Sequence, residues 1–281
     1  MAWLDVEQLI QWRLWLAPAG LLLFMALEHV WSFKPRVHPT WRHYLLNVTL
    51  TVGNAVVLRV LWGTWLVGAA LLAEQQQVGL LHVLDVPWGW RVAITVLAYD
   101  LLSYTLHVLY HYLPAMWRLH VVHHTDMDLD VTSASRFHVG EILLSTVVQT
   151  GLAFALGASA AGLVLFQILL LFQAQAQHSN IRLPDGVDRV LRLALVTPNM
   201  HRVHHSTVPV ETNSNFSTIL SVWDRLGGTF RWGQRQEDIV IGLNAYRRPE
   251  ELTLLRLLAM PFRPLRPEPA TREPTAQGAT P

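Results

Sequence analysis

The chain contains no cysteine and little charge. Among its 281 residues there is no Cys, and only 15% are Asp, Glu, Lys or Arg, against about 25% in soluble domains. The absence of cysteine excludes disulfides, thiolate metal sites, iron–sulfur clusters and cysteine nucleophiles. A net charge of +1 provides no strongly basic face, so nucleic acid is not an expected partner.

Apolar residues take the place of the missing charge. They make up 52% of the chain, which also contains 12 tryptophans. This composition predicts an all-α integral membrane protein. Long apolar runs lie at residues 14–30, 45–73, 92–113 and 142–173. The last run is long enough for two helices that turn near Gly157, so we expect four to five transmembrane or membrane-embedded helices.

Most of the basic residues lie on one side of the predicted spans. They fall in the loop 31–44, in the segment 114–141 and after His178, whereas Arg13 and Arg91 flank the other side. Short cytoplasmic loops are enriched in Lys and Arg, so we expect the first side to be cytoplasmic. Asp5 and Glu7 precede the first span, where a signal peptide has basic residues, and we expect this span to be retained.

Three regions differ in composition. We expect N-terminal transmembrane helices over residues 1–91, a histidine-rich catalytic core over residues 92–245 and a C-terminal segment over residues 246–281. Proline is frequent at the end of the chain, which predicts a disordered tail from about residue 261.

Most of the 14 histidines are clustered. One cluster is His107 with His111, and the other two are the triplets His120, His123, His124 and His201, His204, His205. Spacings of three and four place side chains on one face of a helix, where imidazoles can converge on a metal ion. All three clusters lie at or after span ends on the same side. The sequence therefore predicts a cytoplasmic histidine-rich metal-binding cap.

The clustered histidines are too many for a single ion, because zinc takes about four ligands and iron up to six. Two metal ions are therefore implied, although imidazole alone does not identify the element. His178, at the end of the last span, is a further candidate ligand, and so is His138, which lies close to Glu141. The isolated histidines His29, His38, His43 and His82 are expected to be structural.

A polar stripe runs along the third span. Asp100, Tyr104, His107 and His111 fall at i, i+4, i+7 and i+11, on one face of a helix. An ionisable residue inside a span is costly and indicates a functional site. We expect Asp100 to orient a ligand histidine by accepting its second N–H.

In order and spacing, these motifs resemble the fatty acid hydroxylase superfamily, a membrane-bound group that includes the sterol desaturases. The resemblance covers roughly residues 95–232. Besides the histidine clusters and the polar stripe, it rests on residues 136–138 with Glu141, and on residues 177–180, 215–216 and 223–226. The chain departs from the family pattern at Val139, where Pro is common, and at Gly227, where an aromatic residue is common.

The resemblance implies a non-haem di-iron centre that uses dioxygen to hydroxylate or desaturate a C–H bond of a lipid, whether a sterol, a fatty acyl chain or an ether lipid. Asp100, Tyr104 and Glu141 are the candidate catalytic residues. The implied metal ligands are His107, His111, His120, His123, His124, His201, His204 and His205, with His178 and His138 as further candidates.

The residues themselves are consistent with this chemistry. Breaking an unactivated C–H bond needs a redox metal beside an apolar slot, which the predicted spans can supply. No flavin or dinucleotide motif such as G-x-G-x-x-G is present, so electrons must come from a separate reductase, cytochrome or ferredoxin. Without an appended electron-transfer domain or a retention signal, a bacterial inner membrane is favoured over the endoplasmic reticulum.

Two other functions also account for metal-binding histidines. A membrane-embedded zinc-dependent hydrolase would use a metal-bound water, but the H-E-x-x-H motif of many such enzymes is absent. A metal or proton carrier would line a path across the membrane with ionisable groups, whereas these histidines gather on one side. Activity without dioxygen would favour the hydrolase, and metal flux into vesicles would favour the carrier.

Overall fold

Helices account for the regular structure of the described chain. The computed structural model describes residues 5–61, 65–233 and 235–267, and within these ranges it contains isolated β-bridges but no strand. The α-helices are α1 (Val6–Val30), α2 (Thr40–Leu61), α3 (Trp65–Gln76), α4 (Leu80–Val83), α5 (Trp88–Tyr112), α6 (Pro114–His124), α7 (Val139–Leu156), α8 (Ala160–His178), α9 (Asp185–Leu191), α10 (Pro198–His204), α11 (Pro209–Thr212), α12 (Val222–Leu226) and α13 (Leu254–Ala259). Short 3₁₀ turns occupy Val131–Ser135, Pro249–Glu251 and Met260–Phe262. The predicted all-α class is confirmed.

Four helices, α1, α5, α7 and α8, are long and apolar enough to cross a membrane. The helices between Thr40 and Val83, bent by 40°, would supply a fifth span. Large apolar side chains on these helices, such as Leu14, Trp15 and Leu22, are exposed, as expected for groups that face lipid rather than water. The prediction of four to five membrane-embedded helices is confirmed.

The predicted hairpin within the last apolar run is also present. Helix α7 ends at Gly157, whose φ of 69° is in the left-handed region, where glycine is favoured. Ser159 then caps α8 by accepting a hydrogen bond from the Gly162 N–H. Gly79 packs so closely on this turn that a Cβ atom there would lie 2.1 Å from the Gly157 nitrogen.

The two ends of the helix bundle differ sharply. At one end lie the tight turn at Gly157 and the beginning of α5, where the Ser159 N–H donates to the Thr95 hydroxyl at 3.0 Å. At the other end α1, α5 and α8 finish, and α2 and α7 begin. There the Asn180 N–H donates to Glu28 Oε1 at 2.8 Å, and the Tyr110 hydroxyl donates to the Glu141 carbonyl at 2.8 Å. The segments 31–39, 113–138 and 179–267 cover this second end, and we call them the cap.

A buried network of charged groups attaches the cap to α1 and α2. His43 donates through both ring nitrogens, to Asp126 Oδ1 and to Asp130 Oδ2, each at 2.8 Å. Arg36 donates to Asp130 at 2.5 Å, and Arg136 donates to the Asn47 side chain at 2.9 Å. These contacts agree with the structural role that the sequence predicts for His43.

Separate apolar cores stabilise the bundle and the cap. Small side chains such as Ala70, Ala153 and Ala161 are fully buried in the bundle core, where they let the helices approach closely. The cap core contains Val121 and Val122 of α6 together with Leu257 of α13. The C-terminal segment therefore belongs to the folded cap.

The predicted disordered tail from about residue 261 lies partly within the described chain. The Arg118 side chain donates to the Pro261 carbonyl at 2.6 Å, and the Arg266 N–H donates to the Tyr246 hydroxyl at 3.0 Å. Residues 261–267 are thus hydrogen-bonded to the cap. Residues 268–281 lie outside the described residues.

Candidate metal centre

Helix α6 begins abruptly after α5 and presents three histidines. Pro114 occupies its first turn, where the fixed φ of proline suits a helix start and no N–H is needed. His120 and His124 are one turn apart and therefore share a face of the helix. His123 is directed towards His178 of α8 instead. This short helix thus serves two groups of ligands.

Helices α5, α8 and α10 supply the remaining side chains. His107 and His111 lie on the last two turns of α5, and His178 is the last residue of α8. Helix α10 begins at Pro198, with Thr197 accepting a hydrogen bond from the Met200 N–H at 3.1 Å. The third histidine triplet lies at the end of this helix.

One set of imidazoles, which we call the five-histidine group, comes from α5, α6 and α10. Each residue offers a ring nitrogen, and these nitrogens all lie within 4.8 Å of one another. The rings of His107 and His204 are 4.5 Å apart, and those of His111 and His124 are 4.7 Å apart. The members are His107, His111, His120, His124 and His204.

A second set, the four-histidine group, lies directly beside the first. Its members are His123, His178, His201 and His205. Their Nε2 atoms face one another, with separations of 3.2 Å for His123 and His178, 3.0 Å for His178 and His201, and 3.1 Å for His201 and His205. Nitrogens that bind one ion at about 2.0–2.1 Å lie about 3 Å apart, so this spacing matches a shared ion.

Oxygen acceptors fix the direction of most of these rings. Nδ1 of His107 donates to the Phe216 carbonyl and Nδ1 of His204 donates to the Ser214 carbonyl, each at 2.8 Å. His120 donates to Glu141 Oε1 at 2.8 Å, and His178 donates to the Ala174 carbonyl at 2.8 Å. With the proton on Nδ1, the Nε2 lone pair is free to bind a metal.

The inward-facing nitrogens of the five-histidine group have no other partner. Among the described residues, Nε2 of His107, His111, His120 and His204 is buried without a hydrogen bond, and His124 has no partner on either ring nitrogen. Buried polar atoms are normally satisfied, and five unsatisfied ones that converge on one point need an explanation. A metal ion bound by these nitrogens would supply it, so the five-histidine group fits a bound ion.

Protonation would not block metal binding at neutral pH. Burial, followed by the neighbouring imidazoles, lowers the pKa of five of these histidines well below its ordinary value. Neutral imidazole is the form that binds metals. The five residues are His123, His124, His201, His204 and His205.

Asp100 has different partners from those expected. It accepts hydrogen bonds from the Ile219 and Leu220 N–H groups, each at 3.1 Å, from Trp223 Nε1 at 2.7 Å and from the Thr218 hydroxyl at 3.3 Å. None of these is a histidine. Asp100 therefore holds the segment after Phe216, whose carbonyl is the group that orients His107.

Tyr104 also lies apart from the two histidine groups. Its hydroxyl is 3.0 Å from the Thr229 hydroxyl and packs against Gly227. A Cβ atom at residue 227 would lie 2.0 Å from the Tyr104 oxygen. Tyr104 as placed here thus leaves no room for a side chain at residue 227.

His138 is placed at the start of α7 rather than in either group. Its Nδ1 accepts a hydrogen bond from the Gly140 N–H at 3.0 Å, and its Nε2 donates to the Leu258 carbonyl at 3.2 Å. Both ring nitrogens are therefore occupied. The other nine predicted ligands, including His178, all belong to one of the two groups.

An apolar cavity of about 850 Å³ extends from the histidines into the helix bundle. His107, His120, His123, His178 and His201 form one end of it, together with Glu141 and Gln177. Leu106, Ile142 and Leu170 are among the apolar side chains of its walls. A volume of this size can accommodate an alkyl chain.

Two site residues were not among the predicted ligands or catalytic residues, although one of them, Gln177, is part of the motif at residues 177–180. Asn213 Oδ1 lies 3.2 Å from His111 Nδ1, and Gln177 Oε1 is buried in the cavity wall without a hydrogen-bond partner among the described residues. Asn213 is 102 residues from His111 in sequence, so no helical spacing could have linked the two. For Gln177, the available signal was its position next to the ligand candidate His178.

Known proteins resemble the region that contains these groups. Residues 92–229 match the family model described as fatty acid hydroxylase. An ornithine lipid hydroxylase from Rhizobium tropici is 30% identical over 157 residues, which is 56% of this chain and 46% of that protein. An alkylglycerol monooxygenase from Danio rerio is 30% identical over 183 residues, covering 64% of this chain and 40% of that protein.

The similarity extends to a protein named as an aldehyde decarbonylase. A very-long-chain aldehyde decarbonylase from Oryza sativa subsp. indica is 31% identical over 207 residues, covering 68% of this chain and 32% of that protein. The chain thus spans between about a third and a half of the length of these curated relatives. No solved structure matches the chain significantly.

Proposed function

Because the chain belongs to the fatty acid hydroxylase superfamily, we propose that it is a membrane-bound di-iron oxygenase that uses dioxygen to hydroxylate or desaturate a lipid C–H bond. One observation supports this function above others. Buried imidazole nitrogens without hydrogen-bond partners converge at the end of an apolar cavity that lies within the membrane-embedded helices. A metal centre and an alkyl chain would meet there.

Two bound iron ions would supply the redox chemistry that activates dioxygen and breaks the C–H bond. The five-histidine group would hold one ion and the four-histidine group the other. Hydroxylation consumes one dioxygen, two electrons and two protons, and yields the alcohol and one water. The chain has no cofactor motif that could provide the electrons, so we propose a separate reductase, cytochrome or ferredoxin as the donor.

The protein's own groups would position the reaction. Glu141 holds the His120 ring through Nδ1, and the Phe216 and Ser214 carbonyls hold His107 and His204. Phe137 stacks on His123 at a ring distance of 4.5 Å and also lines the cavity. Apolar walls would exclude bulk water from the reacting carbon.

Metal analysis of the detergent-purified protein tests the proposal directly. We expect about two irons per chain, and dioxygen uptake after chemical reduction in the presence of lipid. Zinc at two per chain in iron-replete cultures, with no uptake after reconstitution with iron, would instead support the membrane-embedded zinc-dependent hydrolase. Hydrolytic activity that survives in anaerobic buffer would support the same alternative.

A pair of histidine variants tests the ligand assignment. His123→Ala should lose bound metal and turnover while the protein remains in the membrane. His138→Asn is the matched control, because Asn can also cap a helix and residue 138 lies outside both groups; it should retain its metal. Equal metal content in the two variants would contradict the assignment.

We also propose that the cap faces the cytoplasm, in a bacterial inner membrane. The absence of native cysteine allows single cysteines to report sidedness with a membrane-impermeant thiol reagent. Glu250→Cys in the cap should react only in inside-out vesicles, and Gln76→Cys at the opposite end should react only in right-side-out cells; both positions are exposed. The reverse labelling pattern would overturn the orientation.

A further inference from the structure

The end of the cavity far from the histidines contains two arginines. Arg13 of α1 and Arg59 of α2 both line it, together with Gln167 of α8 and Trp65 of α3. Both arginines lie within helices that belong to candidate spans. Cations at such positions are costly and usually indicate a ligand or a charged partner.

Neither arginine has an acidic partner in the described part of the chain. Arg13 donates to the neutral amide oxygen of Gln167, and Arg59 has no described hydrogen bond or ion pair. Among the described residues that line the cavity, the only acidic one is Glu141, which lies at the histidine end and accepts from His120. Most of the ten guanidinium N–H donors of the pair therefore remain available.

Snorkelling towards the membrane surface accounts for one exposed arginine on a span. It does not account for two arginines from different helices that line the same cavity. The contact of Arg13 with Gln167 also directs its guanidinium towards α8 rather than towards lipid. A second guanidinium on the same cavity would repel the first unless an anion lies between them.

Helix α8 sets the distance between the two ends of the cavity. Gln167, Leu170, Leu171, Ala174, Gln177 and His178 all line it, as expected for one helical face. Gln167 and His178 are three turns apart, about 16 Å at 1.5 Å per residue. With C–C bonds of about 1.5 Å, roughly a dozen methylene groups in an extended chain span this distance.

We propose that Arg13 and Arg59 bind the anionic head of a single-chain amphiphile, a carboxylate or a phosphate, whose alkyl chain extends along α8 to the histidines. This inference rests on the proposed function and adds the substrate class. Guanidinium groups bind both oxyanions through paired hydrogen bonds. The acid head and the reacting carbon would then lie at opposite ends of the cavity.

Equilibrium binding of three tritiated probes with the same chain length tests the site. The probes are palmitate, hexadecyl phosphate and the neutral hexadecanol, added to purified protein with and without bound metal. We expect at least one anion to bind about tenfold or more tightly than hexadecanol, because a hydrogen bond to a charged group contributes roughly that factor. Preference for palmitate would indicate a free carboxylate, and preference for hexadecyl phosphate would indicate a phosphate head.

Charge-removing variants assign the preference to the arginines. R13Q/R59Q should abolish the preference for the anions and leave hexadecanol binding unchanged, whereas R13K/R59K should retain part of it. R91Q is the matched control, since Arg91 lies in the first turn of α5, outside the cavity wall, and contacts His82. If the double variant does not fold, R59Q alone should weaken anion binding several-fold. Wild-type protein that binds all three probes equally, or a double variant that keeps the preference, would overturn the proposal.

Turnover separates this inference from the proposed function. Palmitate should be oxidised in the distal half of its chain, and decanoate should react at least tenfold more slowly, because its chain does not reach the histidines when its head is at the arginines. Anion preference without any oxidation would leave the anion site intact and contradict the oxygenase. Oxidation of hexadecanol and palmitate at equal rates in wild type and R13Q/R59Q would support the oxygenase and contradict the anion site.

Discussion

Single hydrogen bonds to oxygen acceptors determine how five of the nine imidazoles of the metal centre point. A histidine offers two nitrogens, and the one that donates to an oxygen leaves the other free to bind a metal. Most of the acceptors here are backbone carbonyls, such as those of Phe216 and Ser214. Glu141 is the one carboxylate that performs this task for a member of the two groups among the described residues, through His120.

Replacing Glu141 should therefore weaken the metal centre. Glu141→Ala removes the acceptor for His120 Nδ1, and we expect a loss of about 10–100-fold in metal affinity or turnover. Glu141→Gln keeps an oxygen acceptor and should lose much less. Metal content and turnover of the two variants, measured side by side, check this. An equal loss in both variants would show that the negative charge of Glu141, rather than its hydrogen bond, is what the site requires.

Asp130 connects the cap to α2 through charge. Burial raises its pKa, but hydrogen bonds from His43, Thr132 and Arg36 outweigh this effect and lower the pKa below its ordinary value. A carboxyl group with a lowered pKa stabilises the folded state above its unfolded pKa of about 3.9, and this stabilisation is lost as the pH falls through the folded pKa.

Asp130→Asn should consequently destabilise the protein at neutral pH. We expect a loss of about 2–4 kcal/mol at pH 7, because a buried charged partner is removed, and the difference from wild type should shrink below about pH 4. The free energy of unfolding of both proteins, measured between pH 3.5 and 7.5, checks the size of the loss and its dependence on pH. Asp185→Asn, at an exposed surface ion pair, is the control and should change stability by less than about 1 kcal/mol. A loss of stability in Asp130→Asn that is the same at every pH would contradict a stabilising role for the Asp130 charge.

At the scale of elements, α5 packs closely against α8, and these helices bring His107 and His178 to the same end of the cavity. The contact is tight at Gly162, where a Cβ atom would lie 2.8 Å from the Val92 carbonyl oxygen and 2.9 Å from Thr95 Cβ. Small residues allow such approach between membrane helices, and the packing is within one chain.

Alanine at Gly162 should force these two helices apart. We expect Gly162→Ala to lower stability by about 1–3 kcal/mol, as overpacking does in other cores. The matched control is Gly151→Ala in α7, where a Cβ atom would meet nothing within 4 Å; this change should leave stability unaltered or raise it by up to about 1 kcal/mol. Thermal unfolding in detergent distinguishes the two. Equal effects of the two substitutions on stability would show that the close contact between α5 and α8 does not limit the stability of the protein.

At the scale of the whole molecule, the histidine groups join parts of the chain that are distant in sequence. The five-histidine group takes ligands from α5, α6 and α10, and the four-histidine group takes them from α6, α8 and α10. Bound metal would therefore cross-link membrane helices to the cap, and an ion that binds only the folded state stabilises that state.

Metal removal should lower the Tm of the intact protein. At a free iron concentration of about 100 times Kd, linkage predicts about 2.7 kcal/mol of stabilisation, so chelation should reduce Tm by several degrees and added iron should restore it. His123→Ala should show a smaller shift, because one ion has lost a ligand. The same Tm for stripped and loaded protein would mean that the groups do not bind metal tightly.

Sequence patterns predicted the features that depend on local repeats. Apolar runs of sufficient length specified the membrane helices, and Gly157 specified the hairpin between α7 and α8. Histidines at spacings of three and four identified eight of the nine residues that the structure gathers into two groups, and the end of the last span identified His178. These features follow from helical periodicity and chain length, so a single sequence contains them.

Only the tertiary structure decided which partner each side chain meets. Asp100 shares a helix face with His107, yet it binds the segment 218–223, because long-range packing and not helical spacing brings that loop to α5. His138 lies beside Glu141 in sequence but caps α7, and Asn213 reaches His111 from 102 residues away. Hydrogen-bond partners across such separations depend on how helices pack, whereas the residue types needed for metal, membrane and lipid chemistry were already present in the sequence.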